Sequence, residues 1–283
     1  MKILFYISLF LLLACTKEEH TYIIDNLNNN KITILGHGGY GVNSIDYPLN
    51  SIEAIMLGIA SHADGSEIDI QLTKDSVLVA YHDVNLDDAT YGHGKVYEYN
   101  WDQINSLEYR STPYSSYKLA DLDMIFAKLS NQNLTFTLDI KLPEPNDTVT
   151  NHNTFQNAIL KLLNKYNMVS SVTIESSSVG FLNGLKNKNP NLLLYFYYAD
   201  FTEALHQAVL QNYTGITLRT DNISKEQIQQ AHDANIKVAV FGANAQNHDE
   251  TIRKNVDIIQ TDNVPHLVHL LKHKNPSALN PIY

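Results

Sequence analysis

The sequence predicts an α/β fold, a TIM (β/α)8 barrel built as one domain. In the second half of the chain, strand and helix patterns alternate, which is typical of a parallel sheet. The 283 residues are 44% hydrophobic, which is enough for one large core, and barrels of this class often reach this length. Polar residues also follow several strand candidates, as expected where barrel strands end on one catalytic rim.

The N-terminus predicts a lipoprotein signal peptide over residues 1–15. An apolar run, Ile3–Ala14, follows Lys2 and is too short to span a bilayer as a stable helix. The run closes on Cys15 in a pattern that resembles the lipobox of bacterial lipoproteins, in which the cysteine is lipidated. Cys15 is the sole cysteine, so no intrachain disulfide is possible. The alternative is an ordinary secretory signal with an incidental cysteine.

Residues 16–30 are polar and predict a flexible tether. Thr16–Glu19 resembles a surface-export signal of some Gram-negative bacteria, and the alternative is a plain solvated tether. We therefore expect a bacterial lipoprotein that a lipid anchor holds on the membrane of the cell envelope, at the outer membrane, with surface exposure as a further option. The net charge of -10 makes nucleic acid a poor partner and is compatible with cation binding.

The barrel is predicted to occupy residues 31–283. Its first strand, Ile32–Leu35, runs into a glycine-rich loop, where the backbone can turn tightly and approach a ligand closely. His37 stands at the end of this strand, where barrel enzymes place catalytic residues. Asn50-Ser51 offers an N-cap, and Ile52–Ala63 has apolar residues at helical spacing.

A hairpin pattern comes next. Two strand patterns, Glu67–Leu72 and Val77–Tyr81, flank a turn that is too short for a crossover helix. Side chains alternate along a strand, so Glu67 and Asp69 share a face. Two carboxylates with His82 close by suit a hard divalent cation beside a proton-transfer group. The alternative is an edge hairpin whose polar residues face water.

After the hairpin, helices are predicted near Trp101 and over Leu119–Leu129. The strand Leu134–Lys141 then ends in charge, with Asp139 and Lys141 on one face. This pair is either a plain salt bridge or a metal ligand beside a phosphate-binding cation.

From here the alternation is regular to the end of the chain. The predicted strands are Val172–Glu175, Leu192–Tyr198, Gly215–Leu218, Lys237–Gly242 and Asp257–Thr261, and the predicted helices are Phe155–Tyr166, Gly180–Lys188, Thr202–Gln211, Lys225–Ala234, Glu250–Asn255 and Val264–Lys272. With the earlier ones, nine strand candidates compete for a barrel of eight. One is therefore misassigned or lies outside the barrel.

Polar groups that can carry chemistry stand at four strand ends. They are His37, Glu67 with Asp69, His82, and Asp139 with Lys141. Because barrel strand ends share one rim, we expect one site. Three carboxylates without cysteine favour Ca²⁺ or Mg²⁺ over zinc. Two histidines can serve as general acid and general base, and a cation with a lysine can neutralise a phosphate.

The same residues, in order, resemble the motifs of bacterial glycerophosphodiester phosphodiesterases over almost all of Ile32–Leu271. The family's H-R-G, E-N-T, E-x-D, H-D, E-x-K and I-T-D motifs correspond here to His37-Gly38-Gly39, Leu49-Asn50-Ser51, Glu67-Ile68-Asp69, His82-Asp83, Asp139-Ile140-Lys141 and Gln260-Thr261-Asp262.

The resemblance implies a TIM barrel that uses a divalent cation, Ca²⁺ or Mg²⁺, on a small-molecule phosphodiester or lipid headgroup. Carried over by position, it makes His37 and His82 the acid–base pair. It makes Glu67, Asp69 and Asp139 the metal ligands and Lys141 the catalytic phosphate contact.

Three positions depart from the family pattern. Gly38 replaces the phosphate-binding arginine, which removes a bidentate cation. Leu49 replaces a glutamate, and Asp139 is one methylene shorter than the usual glutamate. Arg219, at the end of a predicted strand, and His93, between two glycines, are candidate substrate-binding replacements for the arginine. The alternative for Arg219 is a surface salt bridge.

The leading hypothesis is a metal-dependent phosphodiesterase that acts on glycerophosphodiesters or related lipid headgroups. Two alternatives remain. One is a phospholipase-D-like enzyme that attacks intact lipids and leaves a cyclic phosphate. The other is a lipoprotein that binds a phosphorylated ligand without turnover, which the lost arginine and glutamate favour and the two retained histidines oppose.

Overall fold

The computed structural model describes residues 21–42, 47–110, 116–143 and 149–281. The predicted signal peptide and Cys15 lie outside the described residues. Within these ranges, no helix combines the length and apolarity needed to cross a bilayer.

Ten strands form a single sheet in the described part of the chain. They are β1 Thr33–Gly36, β2 Gly65–Leu72, β3 Leu78–Ala80, β4 Ala120–Asp121, β5 Thr135–Ile140, β6 Val172–Ser176, β7 Leu193–Tyr197, β8 Gly215–Arg219, β9 Lys237–Ala243 and β10 Ile258–Thr261. Eight of them run parallel in the order β1-β10-β9-β8-β7-β6-β5-β2, and pairing of β1 with β2 closes the ring. The predicted TIM barrel is confirmed.

The surplus strand candidate is the second arm of the hairpin. It forms β3, which pairs antiparallel with β2 outside the ring, as its short turn requires. β4 pairs antiparallel with β3, and these two strands form a flap outside the ring. The predicted helix Leu119–Leu129 is therefore too long at its start. Asp121 ends β4 and caps the helix by accepting from the Met124 amide, so the helix begins at Leu122.

Ten α-helices connect and surround the strands in the described ranges. They are α1 Ile52–Ala60, α2 Leu86–Ala89, α3 Trp101–Ile104, α4 Leu122–Leu129, α5 Val149–Lys165, α6 Val179–Lys188, α7 Phe201–Gln211, α8 Lys225–Asp233, α9 His248–Arg253 and α10 Val264–Lys274. Ser51 caps α1 as predicted, but the helix ends three residues before Ala63, because His62 turns to a φ of 72°.

The core has two shells. Outward-facing strand residues such as Ile68, Leu138 and Ile174 are fully buried against the helices. A separate apolar cluster of Leu35, Tyr195, Ala239 and Ile258 lies among the inward-facing strand residues. Its close packing keeps water out of this part of the barrel.

Residues 21–30 correct the predicted boundary of the tether. Tyr22 and Ile24 are buried, and the Tyr22 hydroxyl donates to Asp249 Oδ1 at 2.7 Å. The Asn26 side chain donates to the Val256 carbonyl at 2.9 Å. The packed chain therefore begins before Lys31, because Tyr22 and Ile24 are buried and the side chains of Tyr22 and Asn26 donate hydrogen bonds to residues more than 220 positions later.

Two neighbouring isoleucines test this packing. Ile24 is 6% exposed and Ile23 is 85% exposed. We expect Ile24→Ala to lower the free energy of unfolding by about 2 kcal/mol or more, because it removes buried methyl groups. Ile23→Ala should change it by less than about 0.5 kcal/mol. Urea denaturation followed by circular dichroism measures both, and equal losses would show that the segment does not pack as described.

Candidate active site

Strand register places the acidic residues on one rim of the barrel. Glu67 and Asp69 lie on β2, and Asp139 lies beside Asp69 on β5. Their side chains point inward, because their neighbours Ile68 and Leu138 face the helices. One oxygen from each of the three carboxylates lies within 4.8 Å of the others. The predicted metal ligands are therefore brought together.

Few cations balance these carboxylates. The Lys141 Nζ lies 2.9 Å from Asp69 Oδ1 and 2.6 Å from Asp139 Oδ2, so one ammonium is shared by two acids. Glu67 Oε2 accepts the Gly38 amide at 2.8 Å. The Asn50 side chain donates to Asp69 Oδ2 at 2.8 Å, and its oxygen accepts the Asp69 amide. Neutral donors therefore orient Glu67 and Asp69, and in the described part of the chain one ammonium balances three carboxylates.

The pKa values follow from this shortage of positive charge. Burial raises the pKa of Glu67 well above its usual value, and the charges of Asp69 and Asp139 raise it further. Burial also raises the pKa of Asp139, against the attraction of Lys141. The pKa of Asp69 is lowered, because Lys141 and hydrogen bonds outweigh its burial. A divalent cation would relieve this repulsion, and a buried, all-oxygen donor set suits a hard cation.

His37 is held by Asp262, the residue that directly follows β10. Its Nδ1 lies 2.8 Å from Asp262 Oδ1, and its amide donates to the Thr261 carbonyl at 3.1 Å. This pairing fixes the ring and leaves Nε2 for proton transfer. The Thr261 hydroxyl in turn contacts the buried His248 ring at 2.7 Å. Asp262 lies in the I-T-D motif, but the sequence alone assigned it no role.

His82 has a matching arrangement next to the flap. Its Nδ1 lies 2.9 Å from Asp83 Oδ1, and the hydrogen bond to Asp83 raises the pKa of His82, with Asp69 adding to the effect and burial opposing it. The Gln71 side chain donates to the carbonyls of Tyr81 and Asp83 and fixes this turn. Each predicted catalytic histidine thus has its own aspartate.

The comparison with known proteins agrees with this site. Residues 42–266 match the profile of the glycerophosphoryl diester phosphodiesterase family. The chain belongs to this family. It is accordingly a phosphodiesterase by family, and metal dependence is a property of the family that the carboxylate cluster fits.

Individual relatives extend the likeness over most of the chain. A glycerophosphodiester phosphodiesterase of Caldanaerobacter subterraneus is 24% identical over 247 residues, which cover 86% of this chain and 98% of that protein. A solved phosphodiesterase of Oleispira antarctica, in complex with the product sn-glycerol-3-phosphate, superposes with a TM-score of 0.75 at 17% identity and covers 85% of this chain and 96% of its own. A solved structure from Silicibacter pomeroyi superposes with a TM-score of 0.76 at 18% identity, and the match covers 86% of this chain and 94% of that one.

The two candidates for the family's missing arginine differ in their surroundings, and the substrate-binding role of each stays a prediction. Arg219 ends β8, its guanidinium sits 5.8 Å from the Phe241 ring centre, and Phe241 packs edge-on to His37 at 6.2 Å. Arg219 is about half exposed and pairs with Asp221 at 3.4 Å. His93 is exposed in its loop, and none of the contacts above involves it, so its substrate-binding role stays a prediction.

Sequence reasoning passed over one buried acid inside the barrel. Glu175 is next to Asp139 in the register, and its Oε2 accepts from Thr217 at 2.8 Å and Gln260 at 3.0 Å. Burial and the charge of Asp139 raise the pKa of Glu175 to about 8. The signal available in the sequence was the position of Glu175 at the end of the predicted strand Val172–Glu175. Glu175 adds one more acid beside Asp139.

Removal of the Asp83 carboxylate tests the electrostatics of His82. Because Asp83 stabilises the imidazolium, Asp83→Asn should lower the pKa of His82, so that its charge is lost at a lower pH than in the parent protein. NMR titration of the His82 ring measures the shift. Asp123→Asn, which changes an acid paired with Lys165, should leave the titration in place. An unchanged His82 titration in Asp83→Asn would contradict the assigned pairing.

Proposed function

We propose that the protein hydrolyses glycerophosphodiesters, or closely related phospholipid headgroup diesters, to an alcohol and a phosphomonoester. The observation that carries the proposal is the combination on one rim of a three-carboxylate cluster, a lysine and two aspartate-paired histidines. The product-bound structure of the Oleispira antarctica relative supports a phosphomonoester as one product.

Glu67, Asp69 and Asp139 would hold the cation, for which we propose Ca²⁺ or Mg²⁺ because all donors are oxygens. When bound, the cation supplies positive charge that polarises the phosphoryl oxygens. Lys141 then no longer has to neutralise two carboxylates alone, and its ammonium is available to contact the phosphate. Arg219 is the proposed second phosphate contact, because it ends a barrel strand beside Phe241, which packs against His37, and its ion pair with Asp221 is exposed.

The two histidines divide the proton transfers. One takes the proton of the attacking water or substrate hydroxyl as its oxygen bonds to phosphorus. The other gives a proton to the alcohol oxygen as the bond from phosphorus to that oxygen breaks. Asp262 and Asp83 hold the two rings in position and stabilise the imidazolium that each histidine forms in turn.

We further propose that the mature protein is a lipoprotein anchored through Cys15 to the bacterial cell envelope, at the outer membrane. The support is the apolar run that ends at the single cysteine. The anchor would keep the enzyme near the lipids whose breakdown supplies phosphodiesters.

Alcohol release from a panel of glycerophosphodiesters tests the proposed activity. The soluble chain from Thr16 should show turnover with Ca²⁺ or Mg²⁺ and none with chelator. His37→Ala should lower kcat by about 10²–10⁴-fold, because an acid–base group is lost. His206→Ala, on the exposed face of α7, is the matched control and should keep full activity.

Three results would count against parts of the proposal. Cyclic phosphate as the final product would indicate the phospholipase-D-like mechanism. Retained ligand affinity without turnover in the parent protein would indicate a binding role. Equal activity of the two alanine variants would remove His37 from the reaction.

A further inference from the structure

We propose that the site prefers phosphodiesters that carry one short apolar chain, such as a monoacylated glycerophosphodiester, over fully deacylated ones. This inference rests on the proposed phosphodiesterase activity and concerns the substrate class of the same site. It comes from the two positions at which the chain departs most from the family motifs, Gly38 and Leu49.

The two departures are one packing arrangement. A Cβ placed on Gly38 would lie 2.7 Å from Leu49 Cδ2 and 3.3 Å from Leu49 Cβ. Gly38 also has a φ of +58°, which side-chain-bearing residues rarely adopt. The Leu49 side chain therefore fills the space that a side chain at position 38 would enter. Where the family motifs carry an arginine and a glutamate, this chain has a leucine side chain packed against a glycine whose positive φ disfavours any side chain.

The Leu49 side chain lines a cavity of about 210 Å³, which His82 also lines. Its lining includes the polar residues Asn50, His82 and Asp83 and the residues Val42, Tyr47, Leu49 and Tyr109. Asn50 donates a hydrogen bond to Asp69, so the cavity reaches the carboxylate cluster through Asn50. A diester held at the cluster would direct one of its substituents into the cavity.

The apolar residues of the lining offer little to a polyol. The Tyr109 hydroxyl is already used, because it donates to the Leu49 carbonyl at 3.2 Å, so Tyr109 presents its ring. Val42, at the rim, is 39% exposed. None of the described lining residues is a lysine or arginine. Such a wall gains free energy by removing hydrocarbon from water and gives a hydroxylated group few partners.

The size of the cavity limits the substituent. Its volume of about 210 Å³ is that of a site for a short hydrocarbon chain. A chain of about six carbons fits this space, and two long acyl chains do not. The structure therefore favours a monoacyl diester over both a deacylated diester and an intact diacyl lipid.

Two soluble substrates with the same leaving alcohol test the preference. We expect kcat/KM for choline release from 1-hexanoyl-sn-glycero-3-phosphocholine to exceed that from sn-glycero-3-phosphocholine by about tenfold or more, the effect of a few buried methylenes in a specificity pocket. Leu49→Glu should bring the ratio close to one. Leu210→Glu makes the same change at a 62% exposed position on α7 and should leave the ratio as in the parent protein.

Val42→Asp is the second variant. Val42 lies at the exposed mouth of the cavity, so the change should not disturb the fold. It should also lower the ratio of the two kcat/KM values. A parent enzyme that turns over the deacylated substrate as well as the hexanoyl one would overturn the inference while leaving the proposed function standing. A ratio unchanged in both Leu49→Glu and Val42→Asp would also overturn it. Failure of the parent enzyme on both substrates would overturn the proposed function with it.

Discussion

The central constraint in this protein is an excess of buried negative charge at the open end of the barrel. The register of β2 and β5 sets Asp69 beside Asp139, with Glu67 one pleat below, and within the described residues Lys141 is the one cation that pairs with these carboxylates. Carboxylates this close in a poorly solvated place repel one another and resist ionisation, as the raised pKa values of Glu67 and Asp139 show. Neutral donors such as the Gly38 amide and Asn50 fix the oxygens without removing the repulsion.

The rest of the barrel makes that arrangement possible. The apolar cluster around Tyr195 fills part of the barrel interior. Glu175, which is level with Tyr195 in the strand register, accepts hydrogen bonds from Thr217 and Gln260. The two histidines that we propose as acid and base lie outside the carboxylate cluster, each against its own aspartate. This separation would let the carboxylates hold the proposed cation while the histidines carry protons.

The alternation of strands and helices and the polar residues at strand ends are local features of the sequence. They were sufficient to predict the barrel and most of the side chains that lie close together, because a barrel brings its strand ends to one rim. They could not decide that Val77–Tyr81 lies outside the ring, since its alternation is the same as that of a barrel strand. Contacts between distant parts of the chain were equally out of reach. Tyr22 finds Asp249, and His37 finds Asp262, over more than 220 residues. The packing of Leu49 over Gly38 depends on a backbone turn that only the structure displays.

Cation binding by the purified chain tests the central claim most directly. Isothermal titration calorimetry with Ca²⁺ and with Mg²⁺ should give one site per chain for at least one of the two ions. Glu67→Gln should weaken that site by about tenfold or more, because a ligand charge is lost. Asp221→Asn, which removes an exposed carboxylate that pairs with Arg219, should leave it intact. Binding of equal strength in Glu67→Gln and Asp221→Asn would mean that the cation sits elsewhere and that the cluster is only a salt-bridge network.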